Sequence, residues 1–332
     1  MTPRIAVIGG GQNCEHEVSL ASAAAVADAL ETVDYDIVRL TIGTDGTWRE
    51  GDTQPIALAD AVNVLRSCDA ALPVLHGPHG EDGTLAALCD LAGVPCVGSD
   101  LHAGALAMDK WVTKLIASEM GIATAPAVLL TRAAAADYRW EHPVVVKPVG
   151  SGSSRGVTLV TEPSGLSAAL HAALAHDDRI LAEDIITGRE IDVAVLGRPD
   201  GSRAAAPPLE IVAKGVFDYD LKYGGHADLR VPAAIGEADR RALETAAITM
   251  FDALRCAGVA RIDFFLTEDG PVLNEVNTMP GFTEHSQVPK MFAAAGLSYA
   301  DLLDLMVRDT LAGVADGDRS SVSPVPGLLQ DH

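Results

Sequence analysis

The first hundred residues alternate short apolar stretches with longer segments of helical spacing. Strands rich in β-branched residues are predicted at residues 4–8, 35–42 and 70–75. Apolar residues at helical spacing predict helices at 17–30 and 85–92. Strands that alternate with helices in this way indicate a parallel α/β sheet in this part of the chain.

Beyond residue 100 the pattern changes, and hairpins replace the strand–helix units. The predicted elements are a helical stretch at 101–120, strands at 127–130, 143–146, 157–160, 180–184 and 192–196, and helices at 166–175 and 237–257. Residues 214–233 are polar and contain glycine, which predicts a loop. After residue 313 the chain is rich in Gly, Asp, Ser and Pro, which predicts a disordered tail.

A predicted hairpin near residue 270 carries polar side chains on one face. A three-residue loop with Gly270 in the left-handed conformation would pair Asp263 with Glu275 and Arg261 with Asn277, and all four would share a face. The opposite, apolar face would hold Ile262, Phe264, Leu266, Val272 and Val276. A two-residue turn would instead separate the carboxylates. Two carboxylates and an amide oxygen suit Mg²⁺, although a solvated edge hairpin would show the same pattern.

Size and charge exclude several classes of protein. The chain has 332 residues, more than the roughly 250–300 that share one core, so two or three domains are expected. It contains no apolar run of the ~18–20 residues that cross a bilayer and does not start like a signal peptide, so we expect a cytoplasmic protein without a membrane partner. Five cysteines without C-x-x-C spacing argue against disulfides and structural zinc. A net charge of −22 argues against nucleic-acid binding.

Two glycine-rich segments are candidates for phosphate binding. Gly9, Gly10 and Gly11 follow a strand, but a dinucleotide-binding G-x-G-x-x-G pattern would need glycine at Cys14, which disfavours a nicotinamide enzyme. Lys147 ends an apolar strand, and the Gly/Ser loop after it offers backbone donors to a polyphosphate. A flexible surface hairpin would explain that loop equally well.

Several short motifs follow one another in an order that chance does not explain. They are Gly10-Gly11 with Glu15-His16-Glu17, His76-Gly77-Pro78 with Gly80-Glu81-Asp82-Gly83-Thr84, Met108-Asp109-Lys110, Lys147-Pro148 with Gly152-Ser153-Ser154, Glu183 with Glu190, Lys222-Tyr223, Arg261 with Asp263, and Glu275 with Asn277-Thr278-Met279-Pro280-Gly281 and Ser286. Together they resemble the D-alanine–D-alanine ligases of the ATP-grasp superfamily, over about residues 4–312.

The resemblance implies an ATP-grasp fold of the α/β class, with α+β character in the C-terminal two thirds. Its implied parts are an N-terminal α/β substrate domain at 1–99, a central ATP-grasp lobe at 100–190, a C-terminal lobe with a metal site and a lid loop at 191–313, and a tail at 314–332. The two β-rich lobes would clamp ATP between them.

The resemblance also implies which residues hold the nucleotide and its metal ions. The residues that match the ATP site are Lys110, Lys147, Ser154, Glu183, Ile185, Ile186 and Glu190. Lys110 and Lys147 match lysines on the phosphates, and the two glutamates match contacts to the adenine amino group and the ribose. Asp263, Glu275 and Asn277 match the ligands of two Mg²⁺ ions, for which Mn²⁺ is a substitute.

The implied reaction joins two D-alanines through an acyl phosphate, at the expense of ATP, for the synthesis of peptidoglycan precursors. The implied catalytic residues are Glu15, Ser153, Lys222, Tyr223, Arg261 and Gly281. Arg261 and the Gly281 amide would stabilise the oxyanion, and Tyr223 would pin a lid. The implied substrate-binding residues are His76, Glu81, Ser286 and Gln287. Relatives are commonly homodimers, so a homodimer is expected.

Two positions depart from the family pattern close to the implied pocket. Gln287 stands where relatives have an apolar residue, and His79 stands where they have an aromatic one. An alternative is therefore a ligase with another second substrate, such as D-serine, in an antibiotic producer or a resistance pathway. A non-catalytic nucleotide-binding protein would be expected to lack Arg261, Glu275 or Asn277, and all three are present.

Overall fold

The computed structural model describes residues 2–51, 53–212 and 228–315, which form three β-sheets with helices around them. The N-terminal sheet contains β1 (Arg4–Gly10), β2 (Asp36–Ile42), β3 (Trp48–Glu50) and β4 (Ala70–Pro73). Its strand order is β3–β2–β1–β4, and β1 runs parallel to both β2 and β4. This pairing confirms the parallel start of the chain that its alternating pattern predicted.

Three helices accompany this sheet: α1 (His16–Glu31), α2 (Leu58–Leu65) and α3 (Thr84–Ala92). Helix α1 lies close to β1 because both surfaces consist of small residues there. A methyl group added to Gly9 would lie only 2.5 Å from the Cβ of Ala23. The sequence did not predict β3 and α2, which have 3 and 8 residues and are too short to show a clear period.

The helical stretch predicted at 101–120 is divided into α4 (Leu101–Met108) and α5 (Lys110–Glu119). Asp109 between them has an extended backbone, and its Oδ1 accepts a hydrogen bond from the amide of Val112 at 2.9 Å. A side-chain cap of this kind satisfies a free amide and begins a new helix. The break places Lys110 in the first turn of α5, where its Nζ donates to the carbonyl of Ser151 at 2.8 Å.

The central sheet is antiparallel and has the strand order β6–β9–β7–β8. Its strands and covering helices are β6 (Ala127–Thr131), α6 (Arg132–Asp137), β7 (Val144–Pro148), β8 (Thr158–Val160), α7 (Leu166–Leu174) and β9 (Arg179–Asp184). Glu183 pairs with Val145, and Lys147 lies two residues further along β7. Because alternate side chains of a strand share a face, Lys147 and Glu183 lie on the same side of the sheet.

The C-terminal sheet has the order β13–β12–β10–β14–β15–β5, with β11 beside β10. Its strands are β5 (Ala123–Thr124), β10 (Arg189–Gly197), β11 (Arg203–Ala205), β12 (Leu209–Val212), β13 (Asp228–Arg230), β14 (Gly258–Thr267) and β15 (Gly270–Asn277). Three helices belong to this half of the chain: α8 (Glu237–Ala253), α9 (Gln287–Ala294) and α10 (Tyr299–Ala315). Strand β13 occupies part of the predicted loop at 214–233, of which residues 214–227 lie outside the described residues. Of the predicted tail, residues 316–332 also lie outside them.

The β14–β15 hairpin has the predicted pairs but reaches them by a different route. Asp263 pairs with Glu275 and Arg261 with Asn277, as predicted. Thr267 pairs with Gly270, so the loop between the strands has two residues. The prediction of a three-residue loop was therefore wrong. A β-bulge at Asn274 restores the register, since one extra residue offsets the shorter turn.

The bulge also changes the apolar face. Leu273 is buried at 1% exposure, together with Ile262, Phe264, Leu266 and Val276, in place of the predicted Val272.

The two ends of the described chain share one hydrophobic core. Val26 of α1 and Leu72 of β4 belong to the same buried cluster as Phe282, Met291 of α9 and Leu303 of α10. The C-terminal helices therefore fix the loop that contains Gly281 against the N-terminal sheet. The predicted domain boundaries themselves stay predictions. Among the described residues, no helix combines the length and the apolar composition that crossing a membrane requires.

We expect Phe251→Ala to lower the free energy of unfolding by roughly 3–5 kcal/mol, because it empties a buried site in the core. Phe251 is 0% exposed, and its ring lies 5.4 Å from the guanidinium of Arg203. Leu159→Ala is the control, since Leu159 is 43% exposed on β8. Urea unfolding of both variants is the measurement, and a similar loss of stability in the two would contradict the burial of Phe251 on α8.

Candidate active site

Glu15 lies at the start of α1 and meets the Gly/Ser loop of the central sheet. Its carboxylate is 4% exposed and accepts a hydrogen bond from the hydroxyl of Ser153. A Cβ would lie 2.4 Å from Glu15 Oε2 at Gly77, which also has a φ of 69° and therefore favours glycine, and 3.0 Å from the same oxygen at Gly152. Ser153 and Ser154 have φ values of 50° and 55°, in the left-handed backbone region that residues other than glycine seldom adopt. The loop is therefore held closely over the carboxylate.

His76 connects the N-terminal sheet with the segment that contains Gly281. It is 3% exposed, and its ring nitrogens contact the carbonyl of Met279 at 2.8 Å and the hydroxyl of Ser22 at 3.1 Å. That hydroxyl also accepts from the amide of Phe282 at 3.2 Å. His76 and Ser22 thus hold both sides of Gly281, which fixes the direction of its backbone.

Glu81 supports the loop after β4, and Ser286 supports the loop that follows Gly281. Glu81 accepts a hydrogen bond from the amide of Gly77 at 2.7 Å. Ser286 is the N-cap of α9, and its Oγ accepts from the amide of Thr283 at 3.0 Å. A Cβ at Gly281 would lie 3.4 Å from that same Oγ. Ser286 and Gly281 are therefore neighbours, whereas contact of either with a substrate stays a prediction.

Three carboxylates form a row across β10, β14 and β15. Asp192 pairs with Asp263, and Asp263 pairs with Glu275. Asn277 donates to Asp263 Oδ2 at 3.0 Å, and Lys110 lies 3.2 Å from Glu275. The structure thus places the three predicted oxygen donors side by side. In the part of the chain that is described, no group of three or more His, Cys, Asp or Glu is arranged to hold a metal, so an ion here would rely on the Asn277 amide as well.

Arg261 is the buried cation of this row. It is 3% exposed and donates to both oxygens of Asp263 at 2.7 Å and to Gln287 Oε1 at 2.7 Å. Gln287 in turn donates to Asp192 at 2.9 Å. Burial disfavours the charged guanidinium, but Asp263, Asp192 and Glu275 outweigh burial and raise the pKa of Arg261. The guanidinium therefore remains charged.

A second buried charge cluster lies at the edge of the central sheet. Glu183 is 5% exposed and lies 2.9 Å from Lys114 and 2.7 Å from Lys147. Burial would raise the pKa of Glu183, but the two lysines outweigh burial and hold that pKa below its usual value. Burial lowers the pKa of Lys114 in spite of its ion pair with Glu183. Lys114 also donates to the carbonyl of Ala125 at 2.8 Å.

Three further predicted nucleotide contacts follow Glu183 along the chain, in the β9–β10 connection and at the start of β10. Ile185 and Ile186 form the connection between β9 and β10, and the Ile185 side chain is 42% exposed. Glu190 is the second residue of β10, opposite Ile211 and Phe265. Lys222 and Tyr223 lie outside the described residues. The roles of all five stay predictions.

Some residues of the site were missed by the sequence analysis: Asn13, Ser22, Lys114, Asp192 and Asn274. Asn13 donates to the carbonyls of His76 and Pro78, both at 2.8 Å, and so joins α1 to the loop after β4. Two of the missed residues carry a recognisable signal. Asp192 is a carboxylate between the apolar residues Ile191 and Val193 of β10, and Lys114 lies one helical turn after Lys110.

Parts of all three sheets meet at one small pocket. Its lining includes Glu81, Lys110, Gly152, Glu275 and Asn277. One cation, two carboxylates and loop amides are thus gathered from four separate segments of the chain.

Comparison with known proteins agrees with this geometry. The family described as D-ala D-ala ligase N-terminus matches residues 4–64 and 52–99, and the family described as D-ala D-ala ligase C-terminus matches residues 116–308. The chain is 38% identical to the D-alanine–D-alanine ligase of Corynebacterium aurimucosum, across 93% of this chain and 98% of that protein.

Two solved structures are similar along their whole length. The VanG D-Ala:D-Ser ligase from Enterococcus faecalis has a TM-score of 0.82 and 35% identity, across 93% of this chain and 100% of that one. The D-alanine–D-alanine ligase from Bacillus anthracis complexed with ATP has a TM-score of 0.78 and 27% identity, across 95% and 100%. The fold is that of the ATP-grasp enzymes, and the chain belongs to the D-alanine–D-alanine ligase family.

Proposed function

We propose that this chain is a cytoplasmic enzyme that joins two D-alanines to D-alanyl-D-alanine, converts ATP to ADP and phosphate, and supplies peptidoglycan synthesis as a homodimer. The observation that carries the proposal is the pocket where Lys110, Gly152, Glu275 and Asn277 meet. It brings the cation of Lys110 and a loop amide close to the carboxylate of Glu275 and the side-chain amide of Asn277 on β15. The family supports ATP as a substrate, and the names of the relatives support D-alanine.

The first step transfers the γ-phosphoryl group of ATP to the carboxylate of one D-alanine. Such transfers depend on positioning and on stabilisation of charge. Lys110 and Lys147 offer cations to the phosphates, and the loop at 150–156 offers amides. Glu15 is an anion for the ammonium group of the first D-alanine, and its hydrogen bond from Ser153 holds the loop over it.

In the second step the amine of another D-alanine attacks the acyl carbonyl, and phosphate leaves. The carbonyl oxygen gains negative charge in the tetrahedral intermediate. Arg261 is a permanent cation beside that position, and the backbone at Gly281 is fixed by His76 and Ser22. A closed site also protects the acyl phosphate from water, which is the role predicted for the lid that Tyr223 pins, while Lys222 is predicted to reach the transferred phosphate.

The oxygen donors on the hairpin fit Mg²⁺. Asp263, Glu275 and Asn277 offer hard oxygen atoms on adjacent strands, and two of these donors are carboxylates. Bound Mg²⁺ would neutralise phosphate charge during the transfer. Lys110 and Arg261 partly neutralise the carboxylates by themselves, which keeps both carboxylates together on one face.

A different second substrate is the weaker alternative. The relatives with 37–38% identity across 93% of this chain are D-alanine–D-alanine ligases. The nicotinamide enzyme and the non-catalytic protein are not supported by any of these similarities.

We expect D-alanine to stimulate ATP hydrolysis with one phosphate released for each dipeptide formed. The measurement is phosphate release against a panel of D- and L-amino acids, alone and in pairs, with the mass of each product. L-alanine is the matched control for chirality. Stimulation by an L-amino acid but by no D-amino acid would refute the substrate assignment.

We expect Glu275→Gln to reduce turnover by a factor of ~100 or more, because it removes one charge from the proposed metal site. Glu268→Gln, at the exposed tip of the same hairpin, is the control and should retain activity. Turnover is measured as Mg²⁺ is varied, with circular dichroism to check the fold. Normal activity of Glu275→Gln at limiting Mg²⁺ would exclude the site.

We expect Lys114→Met to weaken ATP binding and to destabilise the fold by roughly 3–5 kcal/mol, since it breaks a buried ion pair. Glu183 would keep only Lys147, which the phosphates also need. Calorimetric titration with a non-hydrolysable ATP analogue and thermal unfolding are the measurements. Lys290→Met on α9 is the control, and equal ATP affinity in the two variants would contradict the role of Lys114.

A further inference from the structure

The side chain of Gln287 bridges two buried charged groups. Its Oε1 accepts from Arg261 Nη1 at 2.7 Å, and its Nε2 donates to Asp192 Oδ2 at 2.9 Å. Asp192 is 2% exposed and Arg261 is 3% exposed. Both ends of the side-chain amide are therefore hydrogen-bonded to charged partners. Hydrogen bonds to a charged group are stronger than those between two neutral groups.

This bridge completes the set of contacts that orients Arg261. The Nε and Nη2 atoms of Arg261 donate to Asp263, and its Nη1 atom donates to Gln287. All three guanidinium nitrogens are thus held by neighbours on two different elements, β14 and α9. A planar group held at three corners has one orientation.

Gln287 also limits the competition of Asp192 with Asp263 for the guanidinium of Arg261. Asp192 Oδ2 lies 3.5 Å from Arg261 Nε, which is close enough for Asp192 to compete with Asp263 for the guanidinium. The amide donor of Gln287 binds the same Asp192 oxygen. An apolar side chain at position 287 would leave that oxygen and Arg261 Nη1 without the hydrogen bonds described, and unmet buried polar groups are costly.

We propose that Gln287 is a positioning residue that orients Arg261 for the ligation step and does not select the second amino acid. This inference rests on the proposed function, because Arg261 matters there as the cation beside the developing oxyanion. Gln287 is the first residue of α9, directly after Ser286, so the same helix end also lies beside the position predicted to bind the second substrate.

Gln287→Leu keeps the approximate size of the side chain but removes the bridge. We expect kcat for dipeptide formation to fall about tenfold or more, while KM for ATP and the preference for D-alanine over D-serine stay within about twofold. Lys290→Met, one turn further along α9, is the matched control and should resemble the wild type.

A measurement of acyl phosphate formation alone separates a loss of Arg261 positioning from general damage to the active site. With D-alanine at low concentration, exchange of ¹⁸O between the bridging and non-bridging positions of ATP reports reversible acyl phosphate formation. We expect this exchange to be retained in Gln287→Leu. An equal loss of exchange and of dipeptide formation, or a changed preference between D-alanine and D-serine, would overturn the proposal.

A swap of the two bridging groups tests the contact itself. Gln287→Glu and Asp192→Asn should each lower kcat, whereas the double variant restores one carboxylate and one amide and should recover most of the loss. A double variant no more active than the weaker single variant would overturn the proposal. The kinetic comparison uses the amino-acid pair that the wild type turns over, so failure of D-alanine rejects only the proposed function.

The same four proteins give a double-mutant cycle in unfolding temperature, which needs no turnover. Coupling between positions 192 and 287 is expected. Additive changes would refute the bridge even in a protein without ligase activity.

Discussion

The ion pair between Arg261 and Asp263 is the interaction on which the C-terminal side of the site depends. Asp192, Asp263 and Glu275 lie on adjacent strands, and like charges at this spacing repel one another. A buried charge is tolerated only when it is paired and hydrogen-bonded. Arg261 pairs with Asp263 through two hydrogen bonds, and Lys110 lies beside Glu275. The requirement to compensate buried charge therefore holds the cations beside the carboxylates that are proposed to bind Mg²⁺.

The same site depends on contacts between segments that are far apart in sequence. Ser22 binds the backbone at Phe282, and His76 binds the backbone at Met279. Ser153 of the central loop binds Glu15 of the first helix. The N-terminal part supplies the anion and its supports, while the hairpin and α9 supply the cation and the oxygen donors. These contacts therefore join parts of all three sheets at the site.

The sequence predicted much of this arrangement. Side chains alternate between the two faces of a strand, so the spacing of polar residues shows which of them share a face of the sheet. The pairs Asp263–Glu275 and Arg261–Asn277 are an example. The length of the turn was not predictable, since a two-residue loop with a bulge gives the same pairs as a three-residue loop without one. Lys114 was missed because its partner Glu183 comes from another element. The parts assigned to Lys222 and Tyr223 remain predictions from family resemblance.

The bulge at Asn274 also separates the tip of the hairpin from the chemistry at its base. Strand β10 pairs with β14 from Arg189 to Gly197, so the place of Asp263 in the sheet is fixed by β10 and not by the turn. Glu268 and Asp269 at the tip are exposed to solvent. A change of register at the tip would therefore leave Asp263 in place, whereas Glu275 would keep its position opposite Asp263 only if the bulge changed with the turn.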